Sequence, residues 1–282
     1  MSRTEPADDW RVATEESFDL AEGPVWDPIR ERLLWVDIRR GAVLVGELRD
    51  DGTIGIQERV QTPGMVGAVA VSRAGDWILA GERGILTRSA AGVLAAGPTV
   101  LAEDSGRRLN DATIDSAGRF VVGTLKIDET PTTTERLVVV QPDGGLHDLD
   151  TDLSLSNGLG WSPDGTLLYS IDTVPRILYE RDYDASTGTA GPRRVLIAFD
   201  DGVNPDGMCV DADGGLWVAI WGGGQVRRYT PAGVLDRTIE VPSPHTTCVA
   251  FAGPELATLV ITTATKDLDD AARARFPLAG RL

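Results

Sequence analysis

The 282-residue chain predicts an all-β fold, a six-bladed β-propeller with four-stranded blades, on three observations. Short apolar runs alternate with Gly-containing turns, one turn–run–turn–run unit recurs six times, and the recurrence interval is that of a propeller blade. The units are "AEGPVWDPIRERLLWVDI" from Ala21, "GAVAVSRAGDWILAG" from Gly67, "LNDATIDSAGRFVVGT" from Leu109, "SNGLGWSPDGTLLYSID" from Ser156, "VNPDGMCVDADGGLWVAI" from Val203 and "TTCVAFAGPELATLVIT" from Thr246. Aligned on the last apolar residue of the first run and read four residues back, they give Glu22, Gly67, Asn110, Asn157, Asp206 and Thr247, at intervals of 45, 43, 47, 49 and 41.

Each unit supplies two strands. In "LLYSID" and "LWVAIW" apolar side chains occupy both parities, as expected of sheets covered on both faces by neighbouring blades. "AVLVGEL", "ILYERDY" and "VRRYTPAG" read as the outer, solvated strands of blades one, four and five. After the sixth unit only "KDLDDAARARFPLAGRL" remains, with Asp267 to Arg275 as one surface helical turn. Closure is therefore expected to borrow an N-terminal strand, Trp10 to Ser17, within a single domain spanning residues 1–282, so that no open edge remains. Trp26, Trp35, Trp77, Trp161, Trp217 and Trp221 fall in or just past these strands and read as core packing.

The bulk chemistry excludes several classes of function. A formal net charge of -16 opposes a nucleic-acid backbone or an acidic membrane surface as partner. The first residues, "MSRTEPADDWRVATEES", contain no apolar signal region, and no run approaches a membrane span, so a soluble, cytoplasmic protein is expected. Cys209 and Cys248, the two cysteines, read as reduced thiols in strands. His147 reads as a solvated loop residue and His245 as one that could reach the channel mouth; they form no His-based zinc site. There is no GxSxG elbow and no P-loop, and "WGGGQV" from Trp221 reads as a blade turn.

Equivalent positions of successive blades ring the channel axis, and four of the six aligned residues, Glu22, Asn110, Asn157 and Asp206, carry side-chain oxygens. Asn and Asp before Gly also form turns for local reasons, but Glu22 has no such preference. Converging carboxylates repel unless a cation sits between them, and oxygen donors favour Ca²⁺, Mg²⁺ or Mn²⁺.

The strings "AEGPVW…LLWVDI", "RRLNDATIDSAGRFVVGT", "SNGLGWSPDG" and "NPDGMCVDADGGLWVA" resemble, in order, those of the gluconolactonase and regucalcin (senescence marker protein) family, which includes the luciferin-regenerating enzymes. The resemblance implies one divalent ion in the channel and hydrolysis of sugar lactones. Ca²⁺ is the first expectation, with Zn²⁺, Mn²⁺, Mg²⁺ or Fe²⁺ as alternatives. It also implies Glu22, Asn157 and Asp206 as metal ligands, Asp206 as catalytic base, and Arg108, Asn110 and Asp128 as substrate contacts, although "LKIDETP" around Asp128 departs from the family's acidic pair. Three other outcomes stay open at this point: organophosphate or aryl-ester hydrolysis, calcium binding without turnover, and a propeller that only presents an interaction surface. The expected partner is a small-molecule lactone.

Overall fold

The structure is a computed structural model and describes residues 10–282. The first blade is a meander of β1 (Ala21–Asp27), β2 (Arg32–Asp37), β3 (Ala42–Leu48) and β4 (Ile54–Gln61). The second comprises β5 (Val66–Val71), β6 (Trp77–Gly81), β7 (Gly84–Arg88) and β8 (Leu94–Thr99), and the third β9 (Arg107–Ile114), β10 (Phe120–Lys126), β11 (Glu135–Val140) and β12 (Leu146–Leu153). The fourth runs through β13 (Ser156–Trp161), β14 (Leu167–Asp172) and β15 (Ile177–Asp184), which pairs with both β16 (Thr189–Ala190) and β17 (Arg194–Ala198). The fifth is β18 (Asn204–Val210), β19 (Leu216–Trp221), β20 (Gln225–Tyr229) and β21 (Leu235–Glu240).

The sixth unit forms only a two-stranded sheet, β22 (Thr246–Ala252) with β23 (Thr258–Thr263). The propeller thus has five blades, not the expected six four-stranded ones, and the two-stranded sheet fills the gap between blades five and one. The reason lies in where the ends of the described chain spend their hydrogen bonds. Beyond β23 the chain makes one short helix, α1 (Asp270–Arg275), capped by Asp269, and then runs back beside the N-terminal segment. Phe18 N–H donates to Gly280 O (2.7 Å) and Ala13 N–H to Leu282 O (2.6 Å), while Ile54 N–H donates to Ala13 O (2.7 Å). Trp10 to Ser17 accordingly forms no strand, which corrects the expected closure by an N-terminal strand. The ring closes instead through the Leu20–Ala264 bridge and the contact of β1 with β22.

A second correction concerns strand position. "AVLVGEL", "ILYERDY" and the start of "VRRYTPAG" are β3, β15 and β20, third strands that pair on both sides, with β4, β17 and β21 outside them. β3 is largely apolar and buried, whereas β15 and β20 carry partly exposed polar side chains.

Apolar clusters fill the wedges between neighbouring sheets. Leu34, Val36 and Val43 of blade one pack with Val69, Trp77 and Leu79 of blade two, and Val121, Leu137 and Val139 of blade three pack with Leu159 and Leu168 of blade four. Trp35 and Trp77 are fully buried. Each such side chain contributes roughly 1.5–3 kcal/mol of transfer free energy, which explains why both faces of the inner strands are apolar. Among the described residues no helix is long and apolar enough to cross a membrane.

The inner strands β1, β5, β9, β13, β18 and β22 touch in that order around the axis. Each pairs with its neighbour through one register shift: at Glu22/Val25, Val66/Ala68, Asn157/Leu159, Pro205/Met208 and Thr246/Cys248, and on β9 opposite Val122/Thr124. Every aligned ring position lies at or inside one of these bulges. A bulge places two residues opposite one and re-aims a side chain out of the alternating pattern. That is how residues from six strands come to face one axis.

Candidate active site

The axial ends of these strands enclose a cavity of about 150 Å³, lined by Glu22, Arg108, Asn110, Asn157, Asn204, Asp206, Glu129, Lys266 and Trp221, with Leu20, Ile38, Leu125, Leu155 and Thr173. Five expected site residues, Glu22, Arg108, Asn110, Asn157 and Asp206, meet here, each buried. The two ring positions without a carboxylate or amide have structural explanations. A Cβ on Gly67 would lie 2.5 Å from Asn110 O, so no side chain fits. Thr247 Oγ1 donates to Ala21 O at 2.6 Å and faces the adjacent strand.

A directed hydrogen-bond chain joins blades three, four and five. Arg108 Nη1 donates to Asn110 Oδ1 (2.7 Å), Asn110 Nδ2 to Asn157 Oδ1 (2.7 Å) and to Ser156 O (2.8 Å). Asn157 Nδ2 then donates to Thr173 Oγ1 (2.9 Å), which donates to Pro205 O (2.8 Å). The direction is dictated from both ends, because a guanidinium only donates and a carbonyl only accepts. It leaves Asn157 Oδ1 one lone pair for the cavity. It also commits both Asn110 N–H groups within the protein, so Asn110 positions its neighbours more than it offers donors to a ligand.

The electrostatics are those of crowded, dry acids. Burial first, and then the neighbouring charges of Asp206 and Asp111, push the Glu22 carboxyl well above its ordinary range. Asp206 is likewise raised by burial and then by Asp111, against the opposing influence of Lys266 and Arg108. Burial lifts Asp111 to about 6. Burial also pulls the Arg108 guanidinium below its ordinary value, opposed by Glu22, Glu129, Asp111 and Asp206.

These donors fit a hard divalent ion. Among the described residues the Glu22 side chain accepts one hydrogen bond, from Gly23 N–H (3.0 Å), and neither Glu22 nor Asp206 is ion-paired. Two buried carboxylates, of which Asp206 raises the pKa of Glu22, are relieved by a cation between them. Among the described residues there is no group of three or more His, Cys, Asp or Glu arranged to hold a metal, so an ion here would depend on amide oxygen from Asn157 to complete the set.

Asp128 is not part of the cavity. Its carboxylate caps its own turn, accepting from Thr130 N–H at 3.0 Å, and its side chain is 66% exposed. The adjacent Glu129 lines the cavity instead, at a left-handed φ of 54°. The sequence signal for Glu129 was its place beside Asp128 in a turn; which of two neighbouring acids faces inward depends on where β10 ends, and periodicity does not show that. Lys266 and Trp221 also line the cavity, and the sequence pattern singles out neither as a site residue. His245 does not line the cavity; it stacks on Trp221 with ring centroids 4.1 Å apart and planes 6° from parallel. His147 is exposed, but on strand β12, not in a loop.

Residues 20–265 match the model of the SMP-30/gluconolactonase/LRE-like region. The chain belongs to that family. Regucalcin of Xenopus laevis is 34% identical over 276 residues, covering 94% of this chain and 90% of its own. A pentonolactonase, XacC, of Haloferax volcanii is 34% identical over 259 residues, covering 92% and 86%. Among solved structures, a calcium-binding protein, regucalcin, of Agrobacterium tumefaciens superposes with a TM-score of 0.89 at 32% identity, covering 96% of this chain and 91% of that one. The matched residues 20–265 include the whole ring that brings Glu22, Asn157 and Asp206 together in this chain.

Proposed function

We propose that this protein is a metal-dependent hydrolase that opens the ring of small sugar lactones. The observation that carries this reading is the pair of buried carboxylates, Glu22 and Asp206, without ion-pair partners among the described residues, at one end of a cavity that also holds Arg108. The similarity to a pentonolactonase supports the substrate class.

In this reading Glu22, Asn157 and Asp206 hold one divalent ion, Ca²⁺ first. Such an ion supplies Lewis-acid polarisation of the lactone carbonyl and offsets charge that develops on its oxygen. Asp206 accepts a proton from the attacking water, a contribution of roughly 10²- to 10⁴-fold by general-base precedent. The C–O bond of the ring then breaks, the ring oxygen takes up a proton, and the product is the open hydroxy acid. Arg108 keeps donors beyond the two hydrogen bonds made by its Nη1, to Leu109 O and Asn110 Oδ1, and these orient substrate hydroxyls at the cavity wall. Asn110 holds Arg108 and Asn157 in register. Cys209 and Cys248 are free thiols, consistent with a reducing, cytoplasmic setting.

A screen of pentono- and hexonolactones with added divalent ions, with a phosphotriester and an aryl ester as controls, tests the reading. Turnover of lactones lost on chelation and restored by metal is the expected result. Turnover of the phosphotriester alone would move the assignment to organophosphate hydrolysis, and stoichiometric calcium binding without turnover of any ester would leave a calcium-binding protein.

A further inference from the structure

Two residues before each ring position, the six units carry a second set of equivalent residues: Leu20, Met65, Arg108, Leu155, Asn204 and His245. At roughly 3.3 Å per strand residue this layer stands about 7 Å along the axis from the ring. It lies on the site's side of the ring, because residues beyond the ring on the other side, such as Val25, Val69 and Val210, line a separate cavity. Leu20, Arg108, Leu155 and Asn204 line the site, whereas Met65 packs into the wedge between blades one and two and His245 stacks on Trp221.

The two leucines face each other. β1 and β13 are three steps apart in a ring of six inner strands, so Leu20 and Leu155 stand on opposite sides of the axis. Both are pinned in the same way. Asp37 and Asp172 end the second strands of blades one and four, and Asp37 Oδ1 accepts from Leu20 N–H (3.2 Å) as Asp172 Oδ1 accepts from Leu155 N–H (2.9 Å). The residue after each aspartate binds the carbonyl: Ile38 N–H donates to Leu20 O (3.0 Å) and Thr173 N–H to Leu155 O (3.1 Å). With both backbone groups bound, each leucine is held at a set height over the ring. Arg108 and Asn204 occupy the two arcs between them. Among the described residues the Asn204 side chain makes no hydrogen bond, so its amide offers two donors and an acceptor to the cavity. An apolar diameter thus crosses a polar one.

A lactone whose carbonyl oxygen sits at the ring reaches this layer with its exocyclic carbon, while its ring hydroxyls meet Arg108 and Asn204. A hydroxyl on that exocyclic carbon would lie between the leucines. Thr173, beside Leu155, already accepts from Asn157 and donates to Pro205 O, and Glu129 and Lys266 are paired with each other. The hydroxyl would leave water without gaining a partner, which is unfavourable. We propose that Leu20 and Leu155 are specificity-determining residues that select deoxy sugar lactones, whose exocyclic carbon is a methyl group, over lactones that carry a hydroxyl there. This rests on the lactonase reading of the site.

The test uses pentono-1,4-lactone and its 5-deoxy form, which differ by one hydroxyl. The readout is the ratio of kcat/KM for the deoxy lactone to that for the hydroxylated one. The protein should give a ratio of roughly 10 to 100, the discrimination that an apolar wall exerts on one added hydroxyl. L155N supplies a hydrogen-bonding partner and should bring the ratio close to one, whereas L155M keeps the wall apolar and should leave it unchanged. L20N, checked for the parent's circular dichroism, should lower it likewise. A ratio near one in the parent protein overturns the proposal, and so does a ratio that L155N leaves unchanged while slowing both lactones equally, as a structural role would. If no lactone is hydrolysed, the functional reading fails and binding decides the clamp. The ring ethers 1,4-anhydropentitol and its 5-deoxy form, which lack the carbonyl, are then titrated into the Ca²⁺-loaded protein. The deoxy ether should bind roughly ten-fold more tightly, and L155N should abolish the difference. Equal affinity, or no binding of either ether, overturns the clamp.

Discussion

Asp206 is required to stay ionised in a place where burial and Asp111 both favour its neutral form. A bound cation reconciles the two requirements, and the carboxylate then serves as ligand and base together. Asp206→Asn keeps an oxygen for the ion and deletes the proton acceptor. It should retain bound metal by elemental analysis while kcat falls roughly 10²- to 10⁴-fold. Near-normal turnover would move the base elsewhere. Asp111 offers a separate measurement, because no role in the reaction is assigned to it. Its folded pKa, about 6, exceeds the ordinary 3.8, so the stability tied to its neutral form is full below about pH 4 and is lost as pH rises through 6. Asp111→Asn should therefore be more stable than the parent above pH 7, by on the order of 3 kcal/mol, with little difference at pH 4. Urea unfolding at both pH values would show it, and equal curves would mean that the carboxyl is solvated.

At the scale of elements, the bulges in the inner strands decide which side chains reach the axis. Gly158 is the clearest case. A Cβ there would sit 2.6 Å from Asp206 O and 2.8 Å from Met208 Cγ, so β13 and β18 approach closely only because position 158 has no side chain. Gly158→Ala should push β18 outward, lowering thermal stability and displacing Asp206. The expected signature is weakened metal affinity in a protein that still folds. Thr173 ties the same two blades by accepting from Asn157 and donating to Pro205 O. Thr173→Val keeps the shape and removes both bonds, leaving a buried amide and a carbonyl without those partners. A loss of about 1–3 kcal/mol in urea unfolding is expected, together with a looser Asn157. No loss would show that water replaces the hydroxyl.

For the molecule as a whole, the apolar wedges between sheets lie apart from the axial carboxylates, so chelation should leave the far-ultraviolet circular dichroism of a β protein intact while turnover stops. Without an ion, the raised pKa values of Glu22 and Asp206 imply that stability falls as pH rises through them, since the unfolded chain releases those protons sooner. Added Ca²⁺ should thus raise the melting temperature more at pH 8 than at pH 5; an equal rise would place the ion away from these acids. The repeat of turns and apolar runs determined the all-β propeller class, the strand pairs of each unit and the ring positions Glu22, Asn110, Asn157 and Asp206, because strand alternation and blade period are local properties written along the chain. What local pattern could not carry was decided in three dimensions. The sixth unit remains two-stranded because the segments after β23 and before β1 hydrogen-bond to each other, a pairing between chain ends that no repeat encodes. Glu129 replaced Asp128 at the cavity because a left-handed turn after β10 chose which neighbour faces inward. Lys266 entered the site because closing the ring brings the sixth unit within reach of the third, and that proximity exists only in the folded molecule.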